Sequence, residues 1–149
     1  MLPTVADEVH AVVARRLRRV DQRYTSGRRA LVEALEAAGR PVTIGELVAT
    51  GPDLPQSTTY RNLAVLEQAG VVHRVVGADE FSRYELAEEL TGHHHHLVCV
   101  SCGAVEDFEP PARFEQTLRA VIGKVTTGTG FTADAHRLDL LGTCSSCRA

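Results

Sequence analysis

The chain has 149 residues, ordinary apolar content at 44%, no tryptophan and a formal net charge of −3. That length allows one domain or two small ones, and no run approaches the ~18 apolar residues of a membrane span, so no membrane partner is expected. The net charge announces no nucleic-acid binder, but its distribution says more. Residues 1–77 carry ten Lys/Arg against eight Asp/Glu, and residues 78–149 carry six against eleven. A DNA-facing first half and an acidic, cation-collecting second half follow as expectations. Leu2-Pro3-Thr4-Val5 leads straight into a charged stretch with no secretory signal. The expected location is therefore cytoplasmic, where thiols stay reduced.

In chain order, residues 5–20 predict a helix. Val5, Val9, Val12, Val13, Leu17 and Val20 form its apolar stripe, and Arg15, Arg16, Arg18 and Arg19 its basic face. Thr25 or Ser26 caps a second helix to Ala38, which Gly39 and Pro41 stop. A short helix over Thr43–Ala49 and a Gly/Pro loop lead to Gln56–Gly70, a third helix with Ser57 as its expected N-cap. Two short helices and a polar-tipped third read as a helix-turn-helix. Such a recognition helix reads bases with its N-terminal residues, here Ser57, Thr58, Thr59, Tyr60 and Arg61. Val71–Val76 and Phe81–Leu86 predict a hairpin that serves as a wing. Residues 1–86 are thus expected to be a winged-helix DNA-binding domain and 87–92 a polar hinge. Residues 93–149 should form a small α+β domain with strands at His95–Val100, Ala104–Phe108 and Phe131–Leu141. A helix from Pro110-Pro111 to about Val125 and a loop over Thr126–Gly130 complete it. So small a domain builds a thin core and favours a homodimer.

Chemistry concentrates in His93-His94-His95-His96-Leu97-Val98-Cys99-Val100-Ser101-Cys102-Gly103 and in Cys144-Ser145-Ser146-Cys147. These four are the only cysteines in the chain. Two Cys-x-x-Cys pairs supply the four thiolates of a closed structural zinc site. Two disulfides would use the same residues, but reducing conditions favour a metal. Alternation along a strand puts His94 and His96 on one face and His93 and His95 on the other, so one run can feed two metal sites. Further donors on the interdomain side are His73, Glu85, Glu88 and Asp107, and on the other side Glu115 and His136. A zinc enzyme built on His73, His94 and His96 lacks an evident general base or substrate pocket, so no enzymatic activity is expected.

Thr25-x-x-Arg28, Ser57-Thr58-Thr59-Tyr60-Arg61-Asn62-Leu63, Arg83-Tyr84-Glu85-Leu86, the His93–Gly103 stretch and Gly142-Thr143-Cys144-x-x-Cys147 together resemble the ferric uptake regulator superfamily of metal-dependent transcriptional repressors. The resemblance covers essentially residues 10–147. It implies a winged helix hinged to an α+β dimerisation domain, and a homodimer that represses metal-uptake genes on double-stranded operator DNA. It assigns Cys99, Cys102, Cys144 and Cys147 to structural Zn2+. His73, Glu85, His94, His96 and Asp107 fall in a regulatory site for Zn2+ or Fe2+, and His93, His95, Glu115 and His136 in a second C-terminal site. Ser57, Thr58, Thr59, Tyr60 and Arg61 would contact bases, and Arg28 with the Arg15–Arg19 cluster would hold phosphates. Two departures set the expected effector. Pro41 stands where iron-type and peroxide-type members often carry a histidine, and His73 stands where zinc-type members place a ligand. Zinc, as in a zinc uptake regulator, is narrowly expected over iron, and a peroxide sensor comes after both.

Overall fold

The structure, a computed structural model, describes residues 5–148. Residues 1–4 and 149, which the sequence reading includes in its two domains, lie outside them. In order the elements are α1 (Val5–Arg19), α2 (Ser26–Ala38), β1 (Val42–Thr43), α3 (Ile44–Thr50), α4 (Gln56–Gln68), β2 (Val72–Val76), β3 (Ser82–Leu86), α5 (Glu88–Thr91), β4 (His95–Cys99), β5 (Val105–Phe108), α6 (Ala112–Thr129) and β6 (Asp139–Gly142).

Local chemistry sets most of these boundaries. The Thr25 hydroxyl accepts from the Arg28 N–H at the start of α2, and Gly39, at φ 58°, closes that helix on the Leu35 carbonyl. Thr43 and Glu46 form a reciprocal capping box on α3. Ser57 does not cap α4. Pro55 holds the N-cap position with no side-chain bond, and Ser57 lies inside the first turn, because a proline already supplies the fixed extended backbone that a helix entry needs.

Helices α1 to α4 bury Val9, Val13, Leu17, Leu31, Val32, Leu35, Leu47, Leu63 and Leu66 in one core. Strands β1, β3 and β2 form an antiparallel sheet in that order. Every residue from Arg83 to Leu86 is buried, since both faces of β3 are covered. Tyr84 and Leu86 join the helical core. Arg83 and Glu85 alternate to the opposite face, where the second sheet lies. That sheet has the order β5-β4-β6, with β4 antiparallel to β5 and parallel to β6. Between the sheets, Val75 of β2 packs with Val98 and Val105.

Three expectations in the second half are corrected. The segment 87–92 is not simply a polar connection, because Glu88–Thr91 forms one turn of helix. Helix α6 does not stop near Val125; it runs through Thr129 to Gly130, at φ 70°. Thr126, Thr127 and Thr129 satisfy their hydroxyls on carbonyls one turn back, so they stay within the helix. The third strand is Asp139–Gly142, not Phe131–Leu141. Asp139 already pairs with His96 near the start of β4, so earlier residues run past the end of the sheet.

A tight contact joins the wing to the cysteine knuckle. Gly103 has φ 73°, and a Cβ there would lie 2.1 Å from the Asp79 carboxyl carbon. Asp79 cannot swing aside freely, because Arg83, itself buried, grips both of its carboxylate oxygens. Gly103→Ala should therefore destabilise the protein by at least ~1–2 kcal/mol from the left-handed backbone alone. Denaturant unfolding measures it. Adding Asp79→Gly should recover the steric part of the loss but not the backbone part.

Candidate metal centres and nucleic-acid interface

Among the described residues, three groups of metal-ligating side chains come together, each with its donor atoms within 4.8 Å of one another. The first is Cys99, Cys102, Cys144 and Cys147. All four thiols are free. Parallel pairing sets Gly142 beside Cys99, which delivers the second Cys-x-x-Cys to the first. The Cys102 and Cys144 sulfurs are 3.7 Å apart. Four sulfurs at about 2.3 Å from zinc in a tetrahedron have edges of about 3.8 Å, so the spacing fits that ion. The Cys144 and Cys102 backbone N–H groups bring the Cys99 thiol down to about 6. Hydrogen bonding to the Cys102 and Cys144 sulfurs pushes Cys147 up to about 12. Thiols this close do not all ionise without a cation among them.

The second group is Glu85, His94, His96 and Asp107. It draws one ligand from the wing strand β3, two from the histidine run and one from β5. His94 Nε2 lies 3.0 Å from Glu85 Oε2, and His96 Nε2 lies 3.1 Å from Oε1. Asp107 stands opposite His96 across the β4–β5 pair, with its oxygens 3.7 and 3.8 Å from the two rings. Burial by itself raises the Glu85 carboxyl, but hydrogen bonds from His96 and His94 outweigh it and hold the group below the usual carboxylate range. Burial raises Asp107.

The third group, His93, His95, Glu115 and His136, lies on the other face of the histidine run. His95 is only 1% exposed and meets a Glu115 oxygen; the other Glu115 oxygen lies 3.4 Å from His93 and 3.3 Å from His136. One carboxylate oxygen in each of the last two groups, Asp107 Oδ1 and Glu115 Oε2, is buried without a hydrogen-bond partner. Buried polar atoms are rarely left so. A cation held by each donor set supplies the missing partner, so the residues present fit a divalent ion at both.

Other expected residues lie apart from these groups. His73 is exposed and is not among the close donors. It pairs with Glu85 in the β2–β3 register and lines an open cavity of about 440 Å³ with Glu85, His94 and His96. Glu88, a contender for the interdomain site, turns to the other centre, its carboxylate 2.9 Å from His93 Nδ1. Asp139, which no motif marks, lies 3.2 Å from His96 Nδ1. Only the parallel pairing of β6 with β4 reveals it, 43 residues along the chain.

On the expected DNA face, Ser57, Tyr60 and Arg61 are exposed and Thr58 is half-buried. Thr59 is corrected: it is 2% exposed, with its hydroxyl on the Pro55 carbonyl, because its place in α4 faces the core with Leu63 and Leu66. Arg28 is held by neutral acceptors, which leave its charge uncompensated. It bonds Asn62 Oδ1 at 3.3 Å, Gln22 Oε1 at 3.0 Å and the Arg23 carbonyl, and so ties α2 to α4. Arg16 bonds the Gly70 carbonyl and approaches Glu89, which takes it out of the expected basic cluster. Among the described residues no helix is long and apolar enough to cross a membrane.

A model of the ferric uptake regulator family matches residues 19–141. The chain belongs to this family. It is 37% identical to the ferric uptake regulation protein of Bacillus subtilis over 97 residues, a match that takes in 64% of this chain and 62% of that protein. It is 31% identical over 138 residues to the peroxide-responsive repressor of Staphylococcus saprophyticus, covering 89% of this chain and 86% of the relative. The fold superposes on the ferric uptake regulator of Helicobacter pylori with a TM-score of 0.73 at 20% identity, over 99% of this chain and 96% of that one.

The two histidine–carboxylate centres share one strand but no ligand. A zinc-replete chain should therefore carry three ions, matching its three donor groups, and His95→Ala or His96→Ala should each lose one. Elemental analysis combined with cobalt titration of both variants measures this. Each variant should lose a different cobalt spectrum.

Proposed function

We propose that this chain is a metal-responsive transcriptional repressor that binds operator DNA as a homodimer. Residues 1–86 are its DNA-binding domain, 87–92 its hinge and 93–149 its dimerisation and metal-binding domain. Zn2+ in the cysteine centre is structural. The regulatory ion sits between Glu85, His94, His96 and Asp107, and the His93, His95, Glu115 and His136 centre takes a second ion. The observation that carries this reading is one donor group drawn from both halves, with Glu85 on the wing strand, His96 and Asp107 on the second sheet and His94 directly before it.

A cation there supplies charge that the buried carboxylates attract from both sides of the hinge. The chain's own part is to hold His94 and His96 with Nε2 toward Glu85. Their Nδ1 atoms are engaged by the Gly92 carbonyl and by Asp139. Drawing β3 toward β4 sets the angle of the winged helix on the dimer, and hence the separation of two recognition helices facing successive half-sites. Metal and DNA affinities are then linked and reciprocal. Ser57, Tyr60 and Arg61 are the exposed residues at the start of α4 available to read bases.

A dimer accounts for α6, which buries none of its residues in the single chain. Phe114, Val121 and Val125 on α6 and Leu140 and Leu141 on β6 are exposed by 45–71%. Apolar area of that extent is the mark of an interaction face.

Zinc is the favoured effector. Two imidazoles and two carboxylates give four donors, the number that closes a zinc site, and Pro41 supplies no fifth. His73 lies outside the close group and adds nothing to this count. Two carboxylates also suit ferrous iron, which is the alternative. A peroxide sensor, in which peroxide would be the oxidant and a ligand histidine at such an iron site would be oxidised, is a special case of it.

DNA binding against buffered free metal at fixed salt is the test. Protein with zinc in the cysteine centre alone should bind operator weakly and tighten with zinc at free concentrations far below those needed for anaerobic ferrous iron. Activation by iron alone would make iron the effector, and release of that complex by peroxide would make the chain a peroxide sensor. Equal binding with and without metal overturns the coupling. Arg61→Ala should weaken specific binding by about 1–3 kcal/mol, whereas Thr59→Ala should act through stability.

A further inference from the structure

His96 is held at both ends of its ring. It is 7% exposed, with Nε2 facing Glu85 and Nδ1 lying 3.2 Å from Asp139 Oδ1. Asp139 is the first residue of β6 and stands directly opposite His96 in the parallel pairing. Its other contacts turn it away from the donor group. Arg137 Nε donates to Oδ1 at 3.1 Å, and Arg137 Nη2 lies 2.8 Å from Oδ2. An ionised carboxylate only accepts, so the Asp139 contact calls for a proton on Nδ1, and Nε2 is the nitrogen left to face a cation among Glu85 and Asp107.

We propose that Asp139 is the positioning residue of the interdomain centre, fixing the tautomer and aim of His96 from the strand that leads into Cys144. The inference rests on the metal-centre reading above. A carboxylate on the far nitrogen of a metal-binding imidazole orients the ring and raises its basicity, and losing such a partner costs 10–100-fold in affinity. Arg137 in turn holds the carboxylate in place, so the chain Arg137–Asp139–His96 runs from surface to buried donor. The β4–β6 register thereby serves two centres, with Asp139 beside His96 and Gly142 beside Cys99.

The test uses the full chain with its cysteine centre loaded with zinc. Cobalt(II) is the probe ion, and its thiolate charge-transfer band reports any exchange at the cysteines. His94→Ala and His95→Ala mark which absorption belongs to which centre. Asp139→Leu should lower cobalt affinity at the His94-dependent centre by about 10–100-fold and leave the His95-dependent centre unchanged. Nitrogen-15 NMR of the metal-free protein should show a proton held on His96 Nδ1 in the wild type and lost from it in Asp139→Leu, leaving only the Nε2–H that faces Glu85. Asp139→Asn keeps an acceptor, so it should retain the Nδ1–H tautomer and lose less affinity than the leucine variant. Wild-type affinity and tautomer in Asp139→Leu would overturn the proposal. So would an equal loss at the His95-dependent centre, which marks a strand that has merely come loose. If the leucine variant does not fold, Asp139→Asn decides alone: reduced affinity confined to the His94-dependent centre supports the proposal, and unchanged affinity overturns it. Absence of any His94-dependent cobalt binding in the wild type is a different failure. It removes the metal-centre reading itself, and this inference with it.

Discussion

The Glu85 carboxylate, nearly buried between His94 and His96, is the interaction on which the relation of the two halves depends. Glu85 belongs to the wing, His96 to the second sheet, and His94 directly precedes that sheet's β4. The apolar contact between the halves sets Val75 against Val98 and Val105. Three buried valines contribute about 1.5–3 kcal/mol each to holding the two sheets together. A carboxylate taken out of water costs several kcal/mol unless its partners are well placed. The polar cluster therefore bears on whether the halves stay closed alongside the valines. With Asp107 beside it, the cluster holds two carboxylates against two imidazoles and leaves one oxygen unpartnered. A divalent cation changes this balance far more than it would change an exposed pair, because a low dielectric strengthens each of its contacts.

The sequence makes much of this legible through strand periodicity. Four adjacent histidines divide between two faces because a strand repeats every two residues, and the two donor groups divide in that way. The same rule sends Tyr84 and Leu86 into the helical core and Arg83 and Glu85 to the other sheet. Helix caps at Thr25 and Gly39 are equally readable, since each depends on residues within one turn, whereas the Thr43 capping box shows only in the structure.

What the sequence hides is what depends on register between distant strands. His73 and Asp107 look equally eligible as ligands, and only the sheet pairings put Asp107 across from His96 and leave His73 on the open side of Glu85. Glu88 lies close to the whole histidine run in sequence, and the single turn of α5 sends it to His93. Thr59 shares a segment with Tyr60 and Arg61, yet one step around the helix takes it to the core. Arg28 reads as a phosphate contact, and only the fold shows that its side chain also joins Gln22 and Asn62. In each case residue type gives the chemistry correctly, and tertiary position decides who receives it.

Strand β6 is the element with least support of its own. It is four residues long, pairs with one neighbour and is mostly exposed. A short edge strand of this kind is marginal by pairing alone. It is tied down at both ends instead. Beyond its last residue, Cys144 donates its backbone N–H to Cys99 Sγ at 3.3 Å, and at its first residue Asp139 meets His96. An ion held by the four cysteines would close a loop spanning the second domain, and its binding energy would become folding energy for the residues it gathers. The cysteine centre therefore bears on the interdomain centre through geometry alone. It fixes the strand whose first carboxylate aims a histidine at the hinge. The outer face of that strand offers Leu140 and Leu141 to solvent, so a second copy covering them would hold the same four residues from the remaining side.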